Sequence, residues 1–167
     1  MTTAHRLIDE SIVDEYRPGY SNVLIRHFAQ EFAWTELFTR EVLRDALCFL
    51  SVCAIPPAGR ESDEAQVMVS SPIVDRMADA LLLDTPLMIW LERNVFHCRM
   101  VHVPAYAHGI TDQAITDARY EFTISLMEAA GYPIDRGIIW PHRLSPGYLP
   151  CEGGNDLEDC NWKTIRH

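Results

Sequence analysis

A chain of 167 residues, 48% hydrophobic and 23% charged, is long enough to bury a core without covalent staples and too apolar for a disordered segment. Its formal charge of −10 and pI near 5.0 exclude the basic footprint that a nucleic-acid backbone or an anionic membrane surface requires. No run approaches about eighteen uninterrupted apolar residues, so no membrane span is expected.

The start, "MTTAHRLIDESIVDEYRPG", places acidic residues where a secretory signal needs an apolar stretch, so no export signal is expected. Residues 3–17 set Leu7, Ile8, Ile12, Val13 and Tyr16 on one stripe that "RPG" stops, which predicts a first helix. A second helix is expected from Ser21, with Val23, Leu24, Phe28 and Phe32 at helical spacing. Thr35 restarts the pattern, and "ELFTREVLRDALCFLSVCA" continues it through Leu37, Phe38, Val42, Leu43, Ala46, Leu47 and Leu50. "IPPAGRESDEAQ" reads as a loop, and "AQVMVS" is the one weak strand candidate.

Ser71–Pro72 and Thr85–Pro86 each place an N-cap residue before a proline suited to the first helical turn. Because proline inside a helix costs roughly 3 kcal/mol, the pattern divides there into helices over about 72–83 and 86–97, with Thr85 as the expected cap of the second. A last helix over about 112–130 is closed by Gly131 with Pro133 just beyond. The expected fold is all-α: a bundle of about five to six helices forming one domain over 1–145, followed by an irregular polar tail over 146–167. The five cysteines, at 48, 53, 98, 151 and 160, form no dense framework, so reduced thiols in a cytoplasm are the expectation.

The segments "SPIVDRMADALLLDT", "HCRMVHVP", "RYEFTISLMEAAGYP" and "IIWP" lie in or close to residues 71–104 and 118–141. Together they resemble the glycine-rich-domain-containing-protein-like family, a helical domain of plants and bacteria. That family carries a pattern close to S-P-x-V-D-x-x-W-H-x-H-L-L-D-T, then a segment ending H-x-P, a helix ending F-G-x-x-P, and a Trp-Pro. With "DALCFL" where the family has a helix ending in Phe-Leu, the resemblance covers roughly residues 40–141. The chain looks like a degenerate member lacking the W-H-x-H histidines: Ala78 stands for the tryptophan, Asp79 for the first histidine and Leu81 for the second. Asp75, Asp84, Thr85 and His102 remain from the motif.

"FHCRMVHVPAYAH", residues 96–108, packs His97, Cys98, His102 and His108 into one loop. Cysteine and histidine are zinc ligands, and carboxylates such as Asp79 suit harder divalent ions, so a metal held by His102, Asp79 and His97 is compatible with these residue types. No cofactor is required by the sequence. Without a metal, His102 oriented by Asp79 or Asp84 would be a general acid/base, since imidazole titrates near neutral pH. Cys98 beside it would be the candidate nucleophile. Trp90 and Met88, on the helix leading into the loop, are the expected pocket walls alongside His97 and Cys98. Tyr106 and Tyr120 offer hydroxyls.

Two functions follow from these residues. The first is a small-molecule tailoring or accessory enzyme of bacterial metabolism, with catalytic His102, Asp79 and Asp84. The second is a non-catalytic protein-binding module that has lost the family's site and whose acidic surface steers a basic partner. The expected partner is a small molecule or a protein, with no nucleic acid and no membrane; oligomeric state stays open.

Overall fold

The computed structural model describes residues 7–54, 68–100 and 112–146, together with the backbone of 102–103 and 152–153. Six α-helices lie among these residues: α1 (Ile12–Tyr16), α2 (Tyr20–Phe32), α3 (Glu36–Cys53), α4 (Pro72–Leu83), α5 (Thr85–Leu91) and α6 (Gln113–Ala129). The fold is all-α, as the periodicity predicts, and no described helix is long and apolar enough to cross a membrane.

The breaks between helices have identifiable chemical causes. Asp9 ends the expected first helix early at its N-terminal side, because its carboxylate accepts the Ser11 N–H at 2.8 Å and holds a turn there. Helix α1 therefore starts at Ile12, while Ile8 is buried outside the helix. Thr35 caps α3 by accepting the Phe38 N–H at 3.2 Å, and Ser71 caps α4 by accepting the Val74 N–H at 3.3 Å. At the next break the cap is Asp84 rather than the expected Thr85: its Oδ1 accepts the Leu87 N–H at 3.3 Å, and Pro86 falls one position further into the helix. Helix α5 then widens into a π-helical turn, Glu92–Phe96, which ends at His97 in the left-handed region (φ 53°).

Helix α6 closes as predicted. Gly131 sits at φ 92°, donating its N–H to Glu128 at 2.9 Å, while Tyr132 donates to Met127 at 3.0 Å. These two bonds form a Schellman motif, whose left-handed residue glycine adopts without Cβ strain. The turn sends Tyr132 back into the core, where it is buried.

Helix α3 is the axis of the bundle. It packs against α2, α4 and α6, and every residue from Asp45 to Cys53 is buried. A single apolar core gathers Ile8 and Val13, the inner faces of α2 to α6, and Trp140 and Leu144 beyond the last helix. An aromatic run on α2 and the α2–α3 corner (Phe28, Phe32, Trp34, Phe38) lines one flank, and Arg76 of α4 lies 4.3 Å over the Phe32 ring.

Three two-residue strands form a small antiparallel sheet in the order β1 (Met68–Val69), β3 (Glu152–Gly153), β2 (His102–Val103). Strand β1 lies in the expected "AQVMVS" segment and is tied to α6, because Val69 N–H donates to Thr123 Oγ1 at 3.0 Å. Two residues of the polar tail supply the middle strand, so main-chain pairing fastens this part of the tail to the domain.

Candidate functional site

Asp45 occupies an unusual position for a carboxylate: mid-helix on α3, 7% exposed, in a stretch that is otherwise core. Burying a charge without partners is costly, and Asp45 has three donors. Arg44 brings Nε and Nη2 to Oδ1 at 2.9 and 2.8 Å, and the Trp140 indole N–H reaches Oδ2 at 3.0 Å across 95 positions of sequence. Burial raises the Asp45 carboxyl above the usual carboxylate range, and the bonds from Arg44 and Trp140 oppose that shift without cancelling it.

The Trp140 donor is itself fixed in place. Its ring is fully buried, stacked near Tyr120 (centroids 6.2 Å apart) and packed on Phe49 of α3 (6.5 Å). Tyr120 donates its hydroxyl to the carbonyl of Pro141 at 2.8 Å, holding the residue after Trp140 to α6. The "IIWP" segment is thereby docked on the same side of α3 that carries Asp45.

One turn on from Asp45, the Cys48 thiol donates to the Ile8 carbonyl at 3.4 Å, and burial pushes its pKa up to about 12. The Ile8 N–H donates to the Tyr132 hydroxyl at 3.2 Å, which also meets Ser51 Oγ at 2.9 Å. Side chains thus satisfy both main-chain groups of Ile8, which is why the N-terminal segment can cross the core outside a helix.

Between this segment, α3 and the turn after α6 lies a pocket of about 180 Å³. Asp45, Arg44 and Cys48 form its α3 wall, Ile8 its N-terminal wall, and Tyr132 and Ile134 the wall facing them. Its chemistry is that of a small apolar chamber with one buried carboxylate and a half-exposed guanidinium at its polar end. Nothing there suits an outright nucleophile, since burial holds the Cys48 thiol protonated.

The described residues among those singled out from the sequence lie outside this pocket. Asp84 spends one oxygen capping α5 and the other accepting the Tyr20 hydroxyl at 2.6 Å; that bond, then burial, pushes the Tyr20 pKa up to about 12. Trp90 is half-buried with its ring 5.9 Å from Tyr16, which in turn lies 5.5 Å from Tyr20, so Asp84 and Trp90 belong to one α1–α2–α5 junction. Met88 is core. Cys98 is buried, with its thiol pushed up to about 12 by burial and then by Glu92. His97 is exposed, its Nδ1 3.1 Å from the Arg93 carbonyl.

Asp79 is half-buried on α4, one turn after Asp75, whose carboxylate accepts the Ser70 hydroxyl at 3.3 Å. The backbone of His102 pairs with Gly153 in the sheet, while its side chain, Tyr106, His108, Cys151 and Cys160 lie outside the described residues. Among the described residues, no three His, Cys, Asp or Glu side chains are grouped to hold a metal ion. The Tyr120 hydroxyl is committed to Pro141.

The sequence did contain a signal for Asp45. Positions 45, 48, 49 and 52 are a helical stripe of Asp, Cys, Phe and Val, so a lone acid interrupts an apolar face inside "DALCFL". What the spacing could not supply was its partner, an indole 95 positions away. The chain matches no known family model, no curated protein and no solved structure.

Proposed function

We propose that this domain binds a small, largely apolar molecule in the pocket between α3, the Ile8 segment and the turn after α6. The reading keeps the small-molecule class expected from the sequence and moves its centre from His102 to Asp45. The observation that carries it is a buried carboxylate on the wall of a partly open pocket of about 180 Å³. An apolar cavity of roughly 150 Å³ accommodates benzene, so the volume corresponds to a single-ring molecule or a short branched chain.

Catalysis is the extension of this reading, not its premise. Asp45, held above the usual carboxylate range by burial, is a group that can exchange a proton with a bound ligand. An acid/base centre at His102 is a separate proposal with its own variant, His102→Ala.

The test is a titration of the isotope-labelled protein with single-ring fragments, followed by two-dimensional NMR. Shifts confined to Ile8, Cys48, Tyr132 and the Trp140 indole N–H support the proposal. Ile134→Trp, which fills the pocket from its half-exposed wall, should abolish those shifts while leaving the spectrum folded. Fragments that shift residues around Trp90 and Cys98 instead would return the site to the loop the sequence first indicated.

A further inference from the structure

We propose that the ligand of the α3 pocket is a neutral, phenol-sized molecule whose hydroxyl donates to Oδ2 of Asp45; this rests on the pocket-binding reading above. The argument starts from a count of acceptor sites. A carboxylate offers about four lone-pair positions. Among the described residues, Asp45 uses three: Oδ1 takes Nε and Nη2 of Arg44, and Oδ2 takes the indole N–H of Trp140. That leaves one acceptor position on Oδ2, and Asp45 lines the pocket, so a donor bound there is the group we assign to it.

Charge decides which donor that is. Arg44 already pairs with Asp45 at 2.8 Å, so the polar end of the pocket is an ion pair with no net charge to offer. An ammonium head would meet the Arg44 guanidinium beside its acceptor, and burying that second cation has no matching anion. A carboxylate head would meet Asp45. A hydroxyl supplies one donor without adding charge. To the ionised carboxylate a hydroxyl makes the stronger, charge-assisted kind of hydrogen bond.

The remaining walls set the body of the ligand. Ile8, Met127, Ile134 and the Cys48 thiol are apolar or weakly polar, and the Cys48 proton is already given to Ile8. A ring in contact with these groups gains from burial and needs no further polar partner. At about 180 Å³, the chamber takes one ring and one small substituent.

The test uses the full chain and three probes of one shape: phenol, toluene and benzylamine, each titrated by NMR with the Trp140 indole N–H as reporter. That proton shares Oδ2 with the proposed head group, so it responds to what binds there and not merely to occupancy of the pocket. Phenol binding on the order of tenfold tighter than toluene, with the larger indole shift, supports the inference. Equal affinity for phenol and toluene, without an indole response, overturns the hydroxyl assignment while leaving the pocket-binding reading intact. Tighter binding of benzylamine overturns the neutral head. No shift at the pocket walls with any probe overturns both. Asp45→Asn supplies an independent check if it folds: it should erase the preference for phenol over toluene but keep toluene binding. Should the variant not fold, the three-probe comparison on the native chain decides alone.

Discussion

Two polar clusters in this molecule are built from the same residue types and come to different ends. At the α1–α2–α5 junction, Asp84 has both oxygens engaged in structure, one on the Leu87 N–H and one on the Tyr20 hydroxyl, and the neighbouring aromatics pack against one another. On α3, Asp45 is more deeply buried and takes three donors, yet it lines a pocket, which Asp84 does not. An acid beside an aromatic is therefore not a site in itself. The discriminating feature is empty volume next to the acid.

The largest predicted effect concerns the donor that defines the α3 cluster. Trp140→Ala removes a fully buried indole and leaves Oδ2 of Asp45 without its partner inside the core. Stability should fall by about 3–5 kcal/mol in urea denaturation. A loss under about 1 kcal/mol would mean that the indole only fills space beside a solvated acid. Asp45→Leu should cost less, about 1–3 kcal/mol, because the Trp140 N–H is then buried and unpaired while the half-exposed Arg44 returns to water.

The pH dependence of Asp45 sharpens the same contrast. Its native pKa is raised by burial, so between the unfolded and native values the folded chain holds the extra proton. Its contribution to stability is present at low pH and declines as pH rises through the native pKa. The stability of the native chain relative to Asp45→Asn should therefore be greatest at the acid end of the carboxylate range and shrink on going up. Glu121 has the opposite sign: the Arg136 bond lowers its pKa, so its contribution is lost as pH falls. Being half-exposed, Glu121 contributes the weaker trend. A native-minus-Asn difference that grows with pH would show that Arg44 and Trp140, not burial, dominate the site.

How legible this was in the sequence depends on the range of each interaction. Caps and stops are local, so Thr35, Ser71 and the Gly131–Pro133 end of α6 were readable from neighbouring residues. The Asp84 cap was misplaced by one residue because both Asp and Thr are good N-caps and proline tolerates either of the first helical positions. The π-helical turn has no marking residue, and its consequence, the outward turn of His97, was hidden with it. Asp45 was visible as an acid on an apolar stripe. Its function as a wall was not, because the pocket is made by Ile8, Tyr132 and Ile134, which meet α3 only in three dimensions.

Asp84→Ala should lower stability by about 1–2 kcal/mol through the lost cap and the orphaned Tyr20 hydroxyl, whereas Asp84→Asn keeps an acceptor for the cap and should lose less. Neither change should alter phenol affinity, since Asp84 does not line the α3 pocket. A parallel loss of binding and stability on Asp84→Ala would show the two clusters to be coupled through the helices between them.

The smallest effect separates the histidine loop from the pocket. His97 is exposed, and among the described residues its hydrogen bond is to the Arg93 carbonyl of its own helix end, so His97→Ala should change stability by no more than about 0.5 kcal/mol. His97→Ala should not move the phenol titration, because His97 does not line the α3 pocket, and on the pocket reading His102→Ala should leave it unchanged as well. If either substitution weakened phenol binding while the Trp140 indole signal still reported a folded core, the loop would have to contribute to the ligand's environment. The division between a structural histidine loop and a binding pocket on α3 would then fail, and the acid/base reading centred on His102 would gain the support that the Asp45 pocket had lost.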